Sequence, residues 1–282
     1  MNRFLESKVA VIGMGIIGSR CADNLSAAGM NVRTWNRTPR NRPDATDTAI
    51  EATTDAEIVF FYLNNGKTCR EIFGSIKPAL RDGKILINCS TIDLETTQWL
   101  AEECAKIECH FLDCPFTGSK VAASRGELVY YVGDDHTLLE QYREVLQITA
   151  KEIVHIGKVG DATIVKIATN LISASTVQAL SESLAIASAH GIPTDIFISA
   201  VSQNACGSSL ASMQLPTMAS GDYETHFSLE NMLKDVKFGL SLAENAGLKT
   251  PGIKTTANIM QELCENGSAS LDFSALYKQF QD

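Results

Sequence analysis

Residues 8–18, Lys8-Val-Ala-Val-Ile-Gly13-Met-Gly15-Ile-Ile-Gly18, decide the fold. The apolar, β-branched run ends on a glycine, as a central parallel strand does when both its faces are buried. From Ile16 to Ala28 apolar residues recur at helical spacing, and Gly29 follows as the residue that best tolerates the left-handed turn closing a helix. Asn31 to Trp35 then reads as a second strand, which completes a βαβ unit. Gly13, Gly15 and Gly18 give its first turn the G-x-G-x-x-G spacing. In that position Gly13 permits a tight turn, Gly15 lets a pyrophosphate approach the backbone, and Gly18 lets helix pack on strand. The amides of the helix N-terminus face the negative charge. With Met14, Ile16 and Ile17 between the glycines, the whole turn is expected to bind a dinucleotide; an ordinary glycine-rich turn is the alternative.

About twenty residues past the glycines, where NAD-binding units commonly carry an acid for the ribose hydroxyls, the chain reads Trp35-Asn36-Arg37-Thr38. Without an acid, and with Arg37 able to pair with a 2′-phosphate beside the neutral donors Asn36 and Thr38, NADP(H) is the expected cofactor. A solvated arginine in a turn is the competing explanation for Arg37.

Working outward, further strands are expected at Glu57 to Leu63, Lys84 to Asn88, His110 to Cys114, Leu128 to Val132 and Glu152 to Ile156, with helical segments between most of them. This alternation predicts a mostly parallel, doubly wound sheet. After Gly160 helical patterns dominate: a long helix from Asp161 to His190, a break at Gly191-Ile192-Pro193, then stretches near Asp195 to Gln203, Leu229 to Ala246 and Lys254 to Asn266. The expected architecture is α/β, a Rossmann-type domain over residues 1–160 and an all-α domain over 161–282, joined by the long helix.

Composition narrows the function. A formal net charge of −9 with scattered Lys and Arg argues against nucleic acid as partner. The uncharged stretch Ile167 to Ser181 carries several polar residues and falls short of a membrane span. Eight cysteines show no C-x-x-C pair and no zinc spacing, so no metal site is expected and the thiols are read as reduced. Met1 to Ser7 lacks the pattern of an export signal, which makes the cytoplasm the expected location.

Three further segments, Asp113-Cys-Pro-Phe-Thr-Gly-Ser-Lys120, Gly157-Lys-Val-Gly160 leading to Lys166 and Asn170, and Phe227 to Asp235, resemble the β-hydroxyacid dehydrogenase family in order and spacing. The resemblance extends from the glycine motif to Asp272-Phe273-Ser274. It implies that Lys166 is the catalytic lysine and Asn170 its substrate-binding companion. On a helix these two share a face, and an ammonium there can stabilise and protonate the oxygen of a carbonyl that receives hydride. A lysine snorkelling from an apolar helix is the alternative.

The resemblance also implies that Thr117 stands where the family usually has serine and that Thr117, Gly118 and Ser119 hold a substrate carboxylate. Its Gly-Ser-Lys continuation looks like glyoxylate and succinic semialdehyde reductases rather than the Gly-Gly form of 3-hydroxyisobutyrate dehydrogenases and tartronate semialdehyde reductases. Ser119 and Lys120 are equally readable as turn residues. Thr91 and Leu63 are placed near the cofactor, although Ser90, Thr91 or Asp93 could each simply cap a helix. Lys234 is implied to approach the cofactor, with Phe227 and Asp235 at the substrate; an i,i+4 surface pair of Glu230 and Lys234 is the plainer option. The implied protein is a homodimeric or homotetrameric NADPH-dependent reductase of small carboxylate-bearing aldehydes or keto acids. A 3-hydroxyisobutyrate or tartronate semialdehyde type enzyme is the runner-up, and a non-catalytic NADP-binding module is the alternative of another class.

Overall fold

The computed structural model describes residues 7–81, 83–134 and 136–281; apart from Ser7, the segment read for an export signal lies outside them. The chain divides into two compact units, Met1–Lys166 and Ile167–Asp282.

The first unit is built on one sheet of strands β1 (Lys8–Ile12), β2 (Asn31–Trp35), β3 (Ile58–Phe61), β4 (Ile85–Asn88), β5 (His110–Asp113), β6 (Phe116–Thr117), β7 (Leu128–Gly133) and β8 (Ala150–Gly157). Their order is β2-β1-β3-β4-β5-β7-β6, with β8 beside β7. The first five are parallel; β7 runs antiparallel to β5 and β6 and parallel to β8. Among the described residues six helices cover the sheet: α1 (Ile16–Ala27), α2 (Ala49–Thr54), α3 (Gly66–Ile76), α4 (Leu94–Ala105), α5 (Lys120–Ser124) and α6 (Thr137–Leu146).

Side chains alternate faces along each strand, so each strand feeds two cores. Val9, Val11, Ile58, Phe60 and Ile87 pack with Cys21, Leu25, Ala123, Leu139 and Val145 of α1, α5 and α6. Ala10, Ile12, Val59, Phe61 and Leu86 pack with Ala52, Phe73, Ile76 and Leu100 of α2, α3 and α4. Burial on both sides is why these strands read as unbroken apolar runs. Because β2 and β3 flank β1 on opposite sides, the winding reverses there, and the carboxyl ends of β1 and β3 border the crevice in which such sheets bind ligands.

Helix α1 ends as its sequence predicts. Gly29 takes φ +92°, its amide donates to Ser26 O and the Met30 amide to Leu25 O, a paired closure that satisfies the last carbonyls. Cys89 and Cys114 are fully buried, all eight cysteines are free thiols, and burial pushes Cys21 up to about 12.

The second unit is helical. Helix α7 (Asp161–Ala189) begins in the first unit; from Ile167 it packs with α8 (Thr194–Gln203), α9 (Ser209–Ser220), α10 (Leu229–Asn245), α11 (Pro251–Leu263) and a 3-10 helix over Phe273–Phe280. Ala174, Val177 and Leu184 of α7 meet Leu215, Met218, Met232, Val236, Met260 and Leu276 in its core. Gly191, at φ +73°, marks the expected break after α7. Helix α9 is a departure from the sequence pattern. Pro216 lies inside it, yet Ser208 caps its start and Gly221 closes its end at φ +69°, so the helix survives one missing donor. The short strand β6 was likewise not foretold. Among the described residues no helix is long and apolar enough to cross a membrane.

One buried polar chain runs through the first core. Tyr62 and Tyr130 hydroxyls lie 2.7 Å apart, Tyr130 reaches Thr149 Oγ1 at 3.0 Å, and Thr149 donates to Leu146 O at 3.2 Å. Because Thr149 spends its proton on a carbonyl, the order is fixed: Tyr62 donates to Tyr130, and Tyr130 to Thr149. Tyr130→Phe removes that acceptor from Tyr62 and is expected to cost about 1–2 kcal/mol, read as a lower urea midpoint at unchanged m-value.

Candidate active site

The glycine turn after β1 is shaped by collision and by hydrogen bonding. Gly13 has φ +103°, and a side chain there would strike the Tyr62 carbonyl; one at Gly18 would strike the carbonyl of Gly13. Where a Gly15 side chain would stand, nothing lies within 4 Å, which leaves its backbone open. The Gly13 amide donates to Trp35 O at 2.9 Å and the Met14 amide to Asn36 Oδ1 at 2.9 Å, so the turn is pinned to the end of β2. Gly15 stands at the N-cap of α1, which has no side-chain cap and no acid in its first turn. An open backbone at an uncapped helix N-terminus fits a pyrophosphate. Ile16 is 39% exposed on this first turn, while Ile17 packs on the core.

Around the turn, Leu63 approaches Gly13, and its amide donates to Ser90 Oγ at 2.8 Å, tying the ends of β3 and β4 together. Thr91 is half-buried. The helix-capping role open to Ser90, Thr91 or Asp93 falls to Asp93, whose carboxylate accepts the Thr96 amide at 2.8 Å. Asn36 has a task the sequence did not reveal: besides receiving Met14, it donates to Thr38 O at 2.8 Å. Arg37 and Thr38 are exposed. Cavities near 300 and 550 Å³ flank Arg33 without any of Gly13 to Gly18 in their lining, and the candidacy of the glycine turn rests on its backbone chemistry.

At the end of β5, Asp113 is fully buried. Its Oδ2 accepts the amides of Gly160 (2.9 Å) and Thr163 (3.1 Å), and its Oδ1 accepts the Thr163 hydroxyl (2.8 Å). The carboxylate therefore receives the N-terminus of α7, where amides and helix dipole favour an anion. Burial pushes its pKa up to about 6 against the opposing pull of those hydrogen bonds. Thr97 adds a hydroxyl contact to Thr163 at 3.0 Å. Lys166, one turn beyond Thr163, is 9% exposed.

Thr117 is half-buried on β6 opposite Val129. Gly118 takes φ +143° with Leu128 against it, and Ser119 caps α5 by accepting the Ala122 amide at 3.2 Å. A turn function for Ser119 is thus present, and Lys120 opens the helix.

In the second unit, Asn170 Nδ2 donates to Asp235 Oδ2 at 2.6 Å, with Asn170 7% and Asp235 1% exposed. Lys234 Nζ lies 3.1 Å from Asp235 Oδ1, an ion-pair distance, although that oxygen has no hydrogen bond of proper geometry. The same ammonium sits 5.4 Å from the Phe238 ring. Phe227 packs edge-on to Phe273 at 6.0 Å, and its amide donates to Asp272 Oδ2 at 3.0 Å. Asp272 also accepts from His226 and Ser274, which makes it the organiser of the segment carrying Phe227. Neither Asp113 nor Asp272 was singled out as a site residue from sequence. The available signal was an acid closing an apolar strand in one case and an Asp-Phe-Ser cap pattern in the other. Among the described residues no cluster of three or more His, Cys, Asp or Glu is arranged to hold a metal.

Comparison with known proteins gives this geometry a family. Residues 8–157 match the NAD binding domain of 6-phosphogluconate dehydrogenase, and residues 160–280 match a model described as NAD-binding of NADP-dependent 3-hydroxyisobutyrate dehydrogenase. Glyoxylate/succinic semialdehyde reductase 2 of Arabidopsis thaliana, a chloroplastic protein, is 28% identical over 95% of this chain and 78% of its own length. Among solved structures, Mycobacterium tuberculosis 3-hydroxyisobutyrate dehydrogenase with L-serine superposes with TM-score 0.88 at 23% identity, covering 98% of this chain and 100% of that one. Psf3 in complex with NADP+ and 2-OPP gives 0.88 at 18% identity, covering 97% and 100%. Fold and turn define an NAD(P)-dependent oxidoreductase. The chain belongs to the β-hydroxyacid dehydrogenase family.

The environment of Asp113 sets a measurable pH dependence. An acid whose pKa rises on folding, here from 3.8 to about 6, binds its proton more tightly in the folded state. Its contribution should therefore make the protein more stable as pH falls from above 6 toward 4, by at most about 3 kcal/mol. In Asp113→Asn that increment should vanish from the pH profile of chemical unfolding. Asp113→Ala, which strands the Gly160 and Thr163 amides, should cost about 2–3 kcal/mol at neutral pH.

Proposed function

We propose that this enzyme uses NADPH to reduce small aldehydes or keto acids bearing a carboxylate, with glyoxylate to glycolate and succinic semialdehyde to 4-hydroxybutyrate as the preferred reactions. The observation that carries the reading is Lys166, an almost fully buried lysine one turn into a helix whose start is fixed by Asp113. A buried ammonium at a set place is suited to proton delivery.

When bound, the reduced nicotinamide supplies hydride to the carbonyl carbon. Lys166 stabilises the charge gathering on the carbonyl oxygen and then donates its proton there, leaving an alcohol. The Thr117 hydroxyl with the amides of Gly118 and Ser119 holds the carboxylate. Asn170, with its amide fixed by Asp235, and Phe227 are assigned to the substrate; Thr91, Leu63 and Lys234 are assigned to the cofactor. The Gly-Ser-Lys run and the similarity to a glyoxylate/succinic semialdehyde reductase support the substrate class. The likeness to a 3-hydroxyisobutyrate dehydrogenase keeps that reaction as the second reading.

For the cofactor, support for NADPH comes from Arg37 and Thr38, exposed where an NAD enzyme would place an acid, and from the NADP+ complex of a structural neighbour. A cytoplasmic location is proposed with the free thiols in view. A homodimer or homotetramer is proposed because Ile172 (68% exposed), Ile186 (63%) and Ile196 (56%) stand apolar on α7 and α8.

The test is NADPH oxidation with glyoxylate, succinic semialdehyde, tartronate semialdehyde and methylmalonate semialdehyde, compared by kcat/KM. Preference for either of the first two is expected; preference for either of the others would replace the substrate assignment. Lys166→Ala should lower kcat by at least about a hundredfold with NADPH affinity nearly unchanged, and near-normal turnover would remove Lys166 from the mechanism. Arg37→Ala should raise the KM for NADPH about tenfold or more while barely moving that for NADH, whereas equal losses would refute the phosphate role.

A further inference from the structure

The loop between β2 and α2 carries Asn36, Arg37 and Thr38 and is closed at both ends. At its start Asn36 holds the Met14 amide. At its far end the Thr34 amide donates to Asp44 O at 2.8 Å and the Thr46 amide to Thr34 O at 2.9 Å, so the returning chain lies alongside β2. Between these anchors sits Arg42. Its Nε and one Nη donate to the two oxygens of Asp44 at 2.9 and 2.8 Å, and its other Nη donates to Asp23 Oδ1 on α1 at 2.7 Å. Asp44 Oδ1 takes the Thr34 hydroxyl as well, at 3.1 Å. The side chains of Arg42 and Asp44 are only 22% and 16% exposed, which sets this fork apart from an ordinary surface pair.

Each of the three guanidinium nitrogens of Arg42 donates to a carboxylate, while Arg37 stands exposed. We propose that Arg42 is a positioning residue for cofactor choice: forked between Asp44 and Asp23, it holds the loop in the shape that presents Arg37 and Thr38 to a 2′-phosphate, without touching the phosphate itself. The inference rests on the NADPH reading of Arg37. A flexible loop would have to be ordered by the cofactor, and that ordering would be subtracted from the affinity of the phosphorylated form. Lysine carries the charge but not the planar fork, so it does not replace arginine here.

Positioning and bulk electrostatics predict opposite signs at Asp44. If Arg42 acted only by its positive charge, Arg42→Ala would weaken binding of a 2′-phosphate and Asp44→Asn, which removes a nearby negative charge, would strengthen it. If the fork positions the loop, both substitutions weaken it. The experiment is calorimetric titration of the full chain with 2′,5′-ADP and with 5′-ADP, in wild type and in Arg37→Ala, Arg42→Ala, Arg42→Lys and Asp44→Asn. The 5′-ADP affinity reports that each variant retains a folded glycine turn.

Wild type is expected to favour 2′,5′-ADP by about tenfold or more, and Arg37→Ala to abolish the preference. Arg42→Ala, Arg42→Lys and Asp44→Asn should each cut it to about threefold or less with 5′-ADP affinity kept, as expected when a preorganised contact is loosened. An Asp44→Asn protein that binds 2′,5′-ADP as tightly as wild type, or more tightly, overturns the proposal, as does an equal loss for both nucleotides. A wild type without preference overturns it together with the NADPH reading. Failure of the Arg42 inference alone has a different pattern: preference lost in Arg37→Ala and intact in the other three.

Discussion

The Asp113 carboxylate is the joint on which the candidate chemistry hangs. It ends β5, a strand buried on both faces, and it accepts the first amides of the helix that bears Lys166. A strand end buried in a well-packed sheet is among the least movable points of a protein, so a helix N-terminus anchored there inherits its position. The helix in turn lends its dipole and amides to a carboxylate that would otherwise have no compensation for leaving water. The pKa of about 6 shows that compensation to be incomplete: desolvation still outweighs the hydrogen bonds. The ionised carboxylate is thus kept for its bonds to the helix start, and the folded protein gains stability when it is protonated.

The same logic recurs at smaller scale. Asn36 fixes the glycine turn, Asp93 starts α4, Ser119 starts α5, and Asp272 organises the segment with Phe227. Each is a short polar side chain that spends its acceptor on a backbone amide. The residues assigned to ligands are thus carried on backbone whose shape is set by side-chain acceptors at or beside them, which is how a loop edge can hold precise geometry.

Much of this was legible in the sequence because it is local. The glycine spacing, the apolar strand runs and the Gly29 closure each depend on residues within a few positions of one another, and the structure places them as the pattern suggests. What was hidden is what depends on distant pairing. Asp113 meets amides 47 and 50 residues later, and Asn36 meets one 22 residues earlier; no periodicity reports such partners. Helix α9 was concealed for another reason: Pro216 signals a break, and packing of Leu215 and Met218 into the helical core overrides it. Arg42 looked like one basic residue among several, since nothing local says which arginine will find its carboxylates.

The double engagement of Asn36 bears on how readily such an enzyme could change its coenzyme in evolution. In NAD-dependent relatives of this fold an acid near this point grips the ribose. Here the nearest candidate position is already mortgaged to the glycine turn: its oxygen receives Met14 and its nitrogen serves Thr38. A carboxylate at position 36 could still accept the first bond but could not donate the second. A substitution that put an acid here would therefore keep the glycine turn pinned but release the tie to Thr38, and a lineage following that route would need a second substitution to restore the loop.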